Sequence, residues 1–111
     1  MAKARILNIV ATECLPKNDA KFNKWYDEVH IPMLFKYQGM KKVTRYRMME
    51  ENQDKARYLA IYEFDNVEAL EAYLKSPEYS AAIKEMQTTW KGQMFDIKWA
   101  TKYKPIKTWE R

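Results

Sequence analysis

Cysteine, histidine and glycine are scarce in this sequence of 111 residues, which contains one Cys, one His and two Gly. The single cysteine, Cys14, excludes a disulfide within the chain and leaves no thiol cluster for zinc. Because His30 is the only histidine, a metal site would need carboxylates, and no metal-ligand spacing is present, so we expect no metal. No apolar run approaches the roughly 20 residues that span a bilayer, and the first residues lack the apolar segment of a secretory signal. We therefore expect no membrane segment and a cytoplasmic location.

What the sequence does contain is apolar side chains and positive charge. Hydrophobic residues make up 47% of the chain, enough for the core of one domain, and the net charge is +5. We predict a single domain over residues 1–104 and a tail over residues 105–111. Many positive charges lie near the two ends: Lys3, Arg5, Lys98, Lys102, Lys104, Lys107 and Arg111. They indicate either a solvated surface or attraction of anionic ligands or nucleic acid.

The stretch from Phe22 to Leu34 has the pattern of an amphipathic helix. Its apolar stripe recurs at three- and four-residue spacing: Phe22, Trp25, Tyr26, Val29 and Met33. Asn18 or Asp19 is expected to cap its start by accepting a backbone N–H. Pro32 is expected to break the helix near its end, because proline donates no N–H and disfavours a helical residue before it.

His30 lies one turn after Tyr26, at the edge of this stripe and just before the expected break. Two interpretations are open. It is either a packing histidine whose ring nitrogens are satisfied by backbone or water, or a general acid or base at the rim of a pocket.

Four strands and a second, interrupted helix complete the predicted elements. Apolar patterns predict strands over residues 4–13, 43–49, 57–64 and 94–103. Asp65 is expected to cap the second helix, with Glu68 three positions later as in a capping box. Ser76 and Pro77 are expected to restart it, and Gly92 to end it in a left-handed cap.

Two buried faces are predicted within these elements. The buried residues expected at the start of the second helix are Val67, Leu70 and Leu74. In the last strand we expect Phe95, Ile97 and Trp99 to share one face, against Asp96, Lys98 and Ala100 on the other.

The order strand, helix, strand, strand, helix, strand predicts an α+β fold: a ferredoxin-like βαββαβ antiparallel sheet with both helices on one face. RNA-recognition modules of this topology place stacking aromatics on the open face, but Leu59 and Ile61 occupy those positions here, so we expect no nucleic-acid partner. An aliphatic open face predicts a homodimer through facing sheets. Glu63 on that face is either paired with Arg45 or Arg47, or wet at the sheet edge.

Several segments together resemble a known family. They are Trp25 to Pro32, Gly39, Arg45 to Arg47 and Tyr58 to Phe64. The chain resembles the EthD-like (ethyl tert-butyl ether degradation) group of the dimeric α/β-barrel superfamily. This resemblance implies a homodimer, a pocket between sheet and helices, and His30 as the active residue. Relatives in the superfamily include cofactor-independent monooxygenases, muconolactone isomerases and polyketide cyclases, and we expect no cofactor. Haem-using branches of the superfamily need an axial ligand, and His30 in this motif is not an obvious one, so we also expect no haem.

The sequence thus predicts a small cofactor-independent enzyme that acts on an aromatic, phenolic or lactone-like molecule by isomerase, cyclase or monooxygenase chemistry, with His30 as general acid or base. Tyr26 or Tyr46 would donate to a developing enolate oxygen, and Arg45 or Arg47 would hold a carboxylate. The other candidate substrate-binding residues are Trp25, Asn8, Glu63 and Trp90. The alternative is a non-catalytic homodimer that binds a hydrophobic metabolite or serves as an accessory protein to an oxygenase.

Overall fold

The computed structural model describes residues 4–52, 54–91 and 95–111. The elements in chain order are β1 (Ile6–Cys14), a 3₁₀ turn (Pro16–Asn18), α1 (Asp19–Trp25), a π turn (Tyr26–His30), α2 (Ile31–Leu34), β2 (Met40–Arg47), β3 (Tyr58–Phe64), α3 (Val67–Leu74), α4 (Pro77–Thr89) and β4 (Phe95–Tyr103).

The strands form one four-stranded sheet in the order β2-β3-β1-β4, and every neighbouring pair is antiparallel. The two central strands, β1 and β3, are the first and third of the chain. This is the α+β, ferredoxin-like arrangement that the order of elements predicts, and the prediction of the fold class is confirmed.

The two faces of the sheet differ in what covers them. On the helix face, the side chains of β3 alternate into the core, where they pack with buried residues of the helices: Tyr58, Ala60, Tyr62 and Phe64 with Phe22, Tyr26, Leu34, Leu70 and Tyr73. The open face carries the other parity of the two central strands: Leu7, Ile9 and Ala11 of β1 with Leu59, Ile61 and Glu63 of β3.

The first helical segment continues through Pro32, so the predicted break at that proline is wrong. The chain is helical from Asp19 to Leu34, with a π turn over Tyr26–His30. In that turn the N–H of Ile31 bonds to the carbonyl of Tyr26, five residues back. A wider turn accommodates a proline because its ring would otherwise collide with the carbonyl four residues earlier. The helix begins without the expected cap, since the Asn18 side chain makes no capping hydrogen bond.

Helix α3 is capped by Asn66 and not by Asp65. The Asn66 side chain accepts a hydrogen bond from the N–H of Ala69 at 2.8 Å. The helix begins one residue later than expected. Of the residues predicted to be buried, Val67 is 46% exposed and Leu70 is buried, and Tyr73 is buried as well. The capping role of Ser76 is as predicted, because its side chain accepts from the N–H of Tyr79.

A bulge in β4 changes which residues share a face. Ala11 of β1 lies opposite Trp99, whereas Thr12 lies opposite Ile97, so Lys98 is an extra residue in β4. Phe95 and Ile97 therefore lie on the helix face, but Trp99 lies on the open face. The prediction that these three share one face is wrong for Trp99. Gly92 and Met94 lie outside the described residues.

The segment after Tyr103 has no regular structure and is exposed. In it, Trp109 is 78% exposed, and the Lys107 ammonium lies 5.0 Å from the centre of its ring. None of the helices in the described ranges is long and apolar enough to cross a membrane.

Candidate functional site

A cavity of about 370 Å³ lies between the helix face of the sheet and the helices. Its wall is mainly apolar, with polar groups at a few points: Asn8, Thr12, Tyr26, His30, Tyr62, Tyr73, Tyr79, Thr101 and Lys102. This volume and composition are typical of a site for a small organic molecule, which is usually bound by an apolar wall and oriented by a few polar groups.

His30 lies in the cavity wall and is 6% exposed. Its ring stacks on Trp25 with centroids 4.7 Å apart, and the Trp25 Nε1–H donates to Glu85 Oε1 at 2.9 Å. Glu85 therefore fixes the indole that in turn fixes the imidazole. The Nδ1 atom of His30 is buried and has no hydrogen-bond partner among the described residues. An unsatisfied buried nitrogen costs free energy, and such an atom is expected to have a partner in the functional state.

Burial determines the charge of His30. Desolvation lowers the pKa of its imidazole from 6.5 to about 4, and the nearby carboxylate of Glu85 opposes this shift only in part. The ring is therefore neutral at pH 7. A neutral imidazole keeps one lone pair, so it can accept a hydrogen bond or a proton.

Two phenols from different elements meet at the cavity. The hydroxyl of Tyr26, from the π turn, lies 3.3 Å from that of Tyr62, from β3. Burial raises the pKa of Tyr26 and raises that of Tyr62 well above its ordinary value. Both phenols are neutral. One hydroxyl donates its proton to the oxygen of the other, so the second hydroxyl proton remains free to donate to a ligand.

Arg45 supports Tyr26 from the side away from the cavity. Its guanidinium lies 4.5 Å from the centre of the Tyr26 ring and donates to Asp27 Oδ1 at 2.8 Å and to Asn23 Oδ1 at 2.9 Å. The side chain of Asn23 continues this chain of hydrogen bonds by donating to the hydroxyl of Tyr58 at 3.1 Å. Arg45 is thus held by the Tyr26 ring and by two side-chain oxygens, one of Asp27 and one of Asn23.

Three of the predicted site residues line the cavity: Asn8, Tyr26 and His30. Trp25 lies directly behind His30. Trp90 packs edge-on against Trp25, with centroids 5.5 Å apart, and contributes to the core and not to the cavity wall.

The other predicted site residues lie away from the cavity. Tyr46 is 53% exposed and lies opposite Leu59, on the open face. Arg47 lies on the helix face, 5.5 Å from the Tyr58 ring, beside a separate groove near the 48–57 loop. Glu63 is paired, but with Arg5 at 3.7 Å. Of the two alternatives for Glu63, pairing with Arg45 or Arg47 is wrong, because both arginines are on the opposite face of the sheet.

Several residues of the cavity wall are absent from the predicted site, notably Thr12, Tyr79 and Lys102. A signal for Thr12 exists in the sequence, since Asn8 and Thr12 are polar residues of the same parity in an apolar strand. No such signal exists for Lys102, because the bulge at Lys98 reverses the parity of β4 before that residue.

In the ranges that the structure describes, no three or more His, Cys, Asp or Glu side chains are grouped as metal ligands.

The sequence matches the family described as "Domain of unknown function (DUF4286)" over residues 5–102. The chain belongs to this family. No match was found among curated proteins.

Solved structures of the same fold are similar to the chain over nearly its whole length. An ethyl tert-butyl ether degradation (EthD) family protein from Bacillus halodurans C-125 has a TM-score of 0.69 and 16% identity, covering 91% of this chain and 99% of that one. A candidate antibiotic biosynthesis monooxygenase from Bordetella bronchiseptica has a TM-score of 0.67 and 14% identity, with coverages of 94% and 99%. A DABB family protein with a ferredoxin-like fold from Mesorhizobium loti has a TM-score of 0.68 and 15% identity, with coverages of 95% and 100%. At these identities the likeness shows the fold alone.

Proposed function

We propose that the protein is a small cofactor-independent enzyme of the EthD-like type, acting on an aromatic, phenolic or lactone-like molecule bound in the cavity between sheet and helices. The observation that carries this proposal is the meeting of a neutral imidazole and a pair of neutral phenols in one mainly apolar cavity of about 370 Å³. The similarity to EthD and monooxygenase structures supports it at the level of the fold.

The chemistry that fits these groups is proton abstraction next to a carbonyl. His30 is the base, and the free hydroxyl of the Tyr26–Tyr62 pair donates to the carbonyl oxygen, where negative charge develops as the enolate forms. A base whose pKa is about 4 is too weak to remove such a proton by itself, so the bound substrate must raise the pKa of the imidazole during the step. The negative charge that appears beside the ring raises the imidazole pKa during the step, since an opposite charge favours the protonated form.

Arg45 and Trp25 hold these groups in place. The guanidinium of Arg45 covers one face of the Tyr26 ring, and the indole of Trp25 covers His30. Positioning of this kind is what a two-group mechanism requires, because small displacements of the reacting groups lower the rate strongly.

A second function is favoured by the low basicity of His30: a protein that binds a hydrophobic metabolite without converting it. The same cavity serves this role, with His30 as a hydrogen-bond acceptor. The two functions differ in whether the ligand is recovered unchanged.

We propose in addition that two copies associate through their open faces. Besides the six residues named above, this face carries Tyr46, Trp99 and Tyr103, which are 53%, 41% and 47% exposed. An apolar face of this breadth is typical of an interface, and a two-fold pairing of identical faces covers it without a second partner.

The proposed function is tested by thermal unfolding of the wild type with a panel of phenols, aromatic polyketides and lactones, followed by product analysis for each ligand that stabilises it. A ligand at about 100 times its Kd raises stability by roughly 2.7 kcal/mol, which is a shift of several degrees. For a ligand that is converted, we expect His30→Ala to lower turnover by about 10²- to 10⁴-fold.

Two matched variants locate the site. Tyr62→Phe removes a hydroxyl from the cavity, whereas Tyr37→Phe removes one that donates to the carbonyl of Ala69 elsewhere. Ligand stabilisation should fall in the first and persist in the second. If turnover in His30→Ala stays within a few-fold of the wild type, His30 is not the base, and a ligand recovered unchanged assigns the binding function.

A further inference from the structure

The charge on the described part of the cavity wall is positive. Among the described residues that line it, Lys102 is the cationic one at pH 7, because His30 is neutral there, and none is Asp or Glu. The ammonium of Lys102 forms no ion pair with any residue in the described ranges, whereas Arg5, Arg45 and Arg57 each lie within 4.0 Å of a carboxylate. An unpaired cation on an otherwise neutral, apolar wall favours an anionic group on the ligand.

Lys102 belongs to a row of polar residues that crosses the helix face. Lys102 of β4 lies opposite Asn8 of β1, and Asn8 lies opposite Tyr62 of β3. Residues directly opposite one another in an antiparallel sheet have Cβ atoms about 5 Å apart, so the three side chains are neighbours. The row leads from the exposed ammonium to the buried phenol pair.

Asn8 adds a second donor to this row. It is 9% exposed and lines the cavity, yet its side-chain amide makes no hydrogen bond to another described residue. Buried amides are ordinarily hydrogen-bonded, so this group is available to a ligand. A carboxylate accepts from both an amide N–H and an ammonium, and such charge-assisted hydrogen bonds are the stronger kind.

From this row we propose that the ligand of the cavity is a small apolar acid, whose single carboxylate is bound by Lys102 and Asn8 while its apolar body fills the space toward His30. The inference rests on the proposed function, since it names the substrate class of the same cavity. It assigns the carboxylate to Lys102 and not to Arg45 or Arg47, whose guanidinium groups lie over the rings of Tyr26 and Tyr58.

The test compares acids with their neutral amides. Benzoate, phenylacetate and 1-naphthoate are titrated calorimetrically into the wild type at pH 7, beside benzamide, phenylacetamide and 1-naphthamide. Because the ammonium is exposed and partly screened by water, we expect the acid of at least one pair to bind about fivefold more tightly than its amide. Added salt should narrow this difference, since it weakens the ionic contact and leaves the amide unaffected.

Two lysine variants provide the matched control. Lys102→Met removes the cation from the cavity, and Lys98→Met removes an exposed cation from the same strand that lines a different groove. We expect Lys102→Met to abolish the preference for the acid and Lys98→Met to retain it. Equal binding of acids and amides to the wild type, or an equal effect of the two variants, overturns the carboxylate assignment.

The two proposals fail in different ways. If amides bind as well as acids and His30→Ala weakens both, the cavity is the site but its ligand is not an acid. If neither acids nor amides bind, the carboxylate assignment is overturned, and the proposed function then depends on whether a phenol or lactone stabilises the wild type in the thermal panel.

Discussion

At the scale of single residues, His30 determines how the site responds to pH. Its imidazole is held in a neutral state by burial between Trp25 and the cavity, and its pKa is lowered from 6.5 to about 4. A base with a depressed pKa is protonated more readily in the unfolded chain than in the folded one. Stability from this residue is therefore fully present above pH 6.5 and is lost as the pH falls toward 4.

Comparing the wild type with His30→Gln isolates this effect, because both chains share all other titrating groups. Between pH 7 and pH 4 we expect the wild type to lose about 3 kcal/mol more free energy of unfolding than the variant, because folding lowers the imidazole pKa from 6.5 to about 4. Urea denaturation at pH 7, 5.5 and 4 measures it. Parallel losses in the two proteins would show that His30 is not held neutral by the fold.

At the scale of elements, local hydrogen bonds determine where each helix begins and where its turns depart from α-helical geometry. The π turn over Tyr26–His30 brings two cavity residues into one widened turn directly before Pro32. The start of α3 is set by Asn66, whose side chain accepts from Ala69, whereas Asp65 bonds to Arg5 at 3.1 Å outside the helix. These are contacts of one or two side chains, and neighbouring residues of similar chemistry compete for them.

The cap of α3 can be assigned by paired alanine variants. We expect Asn66→Ala to lower the free energy of unfolding by about 1 kcal/mol, because it leaves an N–H of the first turn unsatisfied. Asp65→Ala should cost less than about 0.5 kcal/mol, since it removes an exposed ion pair. Denaturant titration of both variants checks this. A larger loss in Asp65→Ala would restore the cap that the sequence predicts.

At the scale of the whole molecule, the two faces of the sheet differ in what packs against them. The helix face builds the core and the cavity, with Tyr58, Ala60, Tyr62 and Phe64 all buried. The open face has apolar side chains, none of the helices in the described ranges packs against it, and the proposed homodimer would cover it. Ligand binding and association would then use opposite faces of the same four strands.

Association is tested at the centre of the open face. Ile61 lies opposite both Ile9 and Thr44, and Ile61→Lys places a charge there without entering the helix-side core. We expect the wild type to have twice the chain mass in sedimentation or light scattering, and Ile61→Lys to have the mass of one chain. Phe35→Lys, at an exposed aromatic position away from the sheet, should leave the mass unchanged. A wild type with the mass of one chain would contradict the homodimer.

The sequence by itself determined the fold class and the order of its elements. Strand and helix patterns depend on residues two to four positions apart. The alternation in β3 and the apolar stripe from Phe22 to Met33 could therefore be predicted from the sequence. The position of His30 beside Tyr26 was readable for the same reason, and both residues line the cavity.

Only the tertiary structure decided which side chains of β4 share a face and which charges meet. The extra residue at Lys98 reverses the parity of β4, and a bulge has no local signal as strong as alternation. That single shift turns Trp99 to the open face and Lys102 to the cavity. The partner of Glu63 is likewise decided by distance in space, since Arg5 is 58 positions away in the chain and Arg45 lies across the sheet. Local patterns specify elements, but long-range register specifies the site.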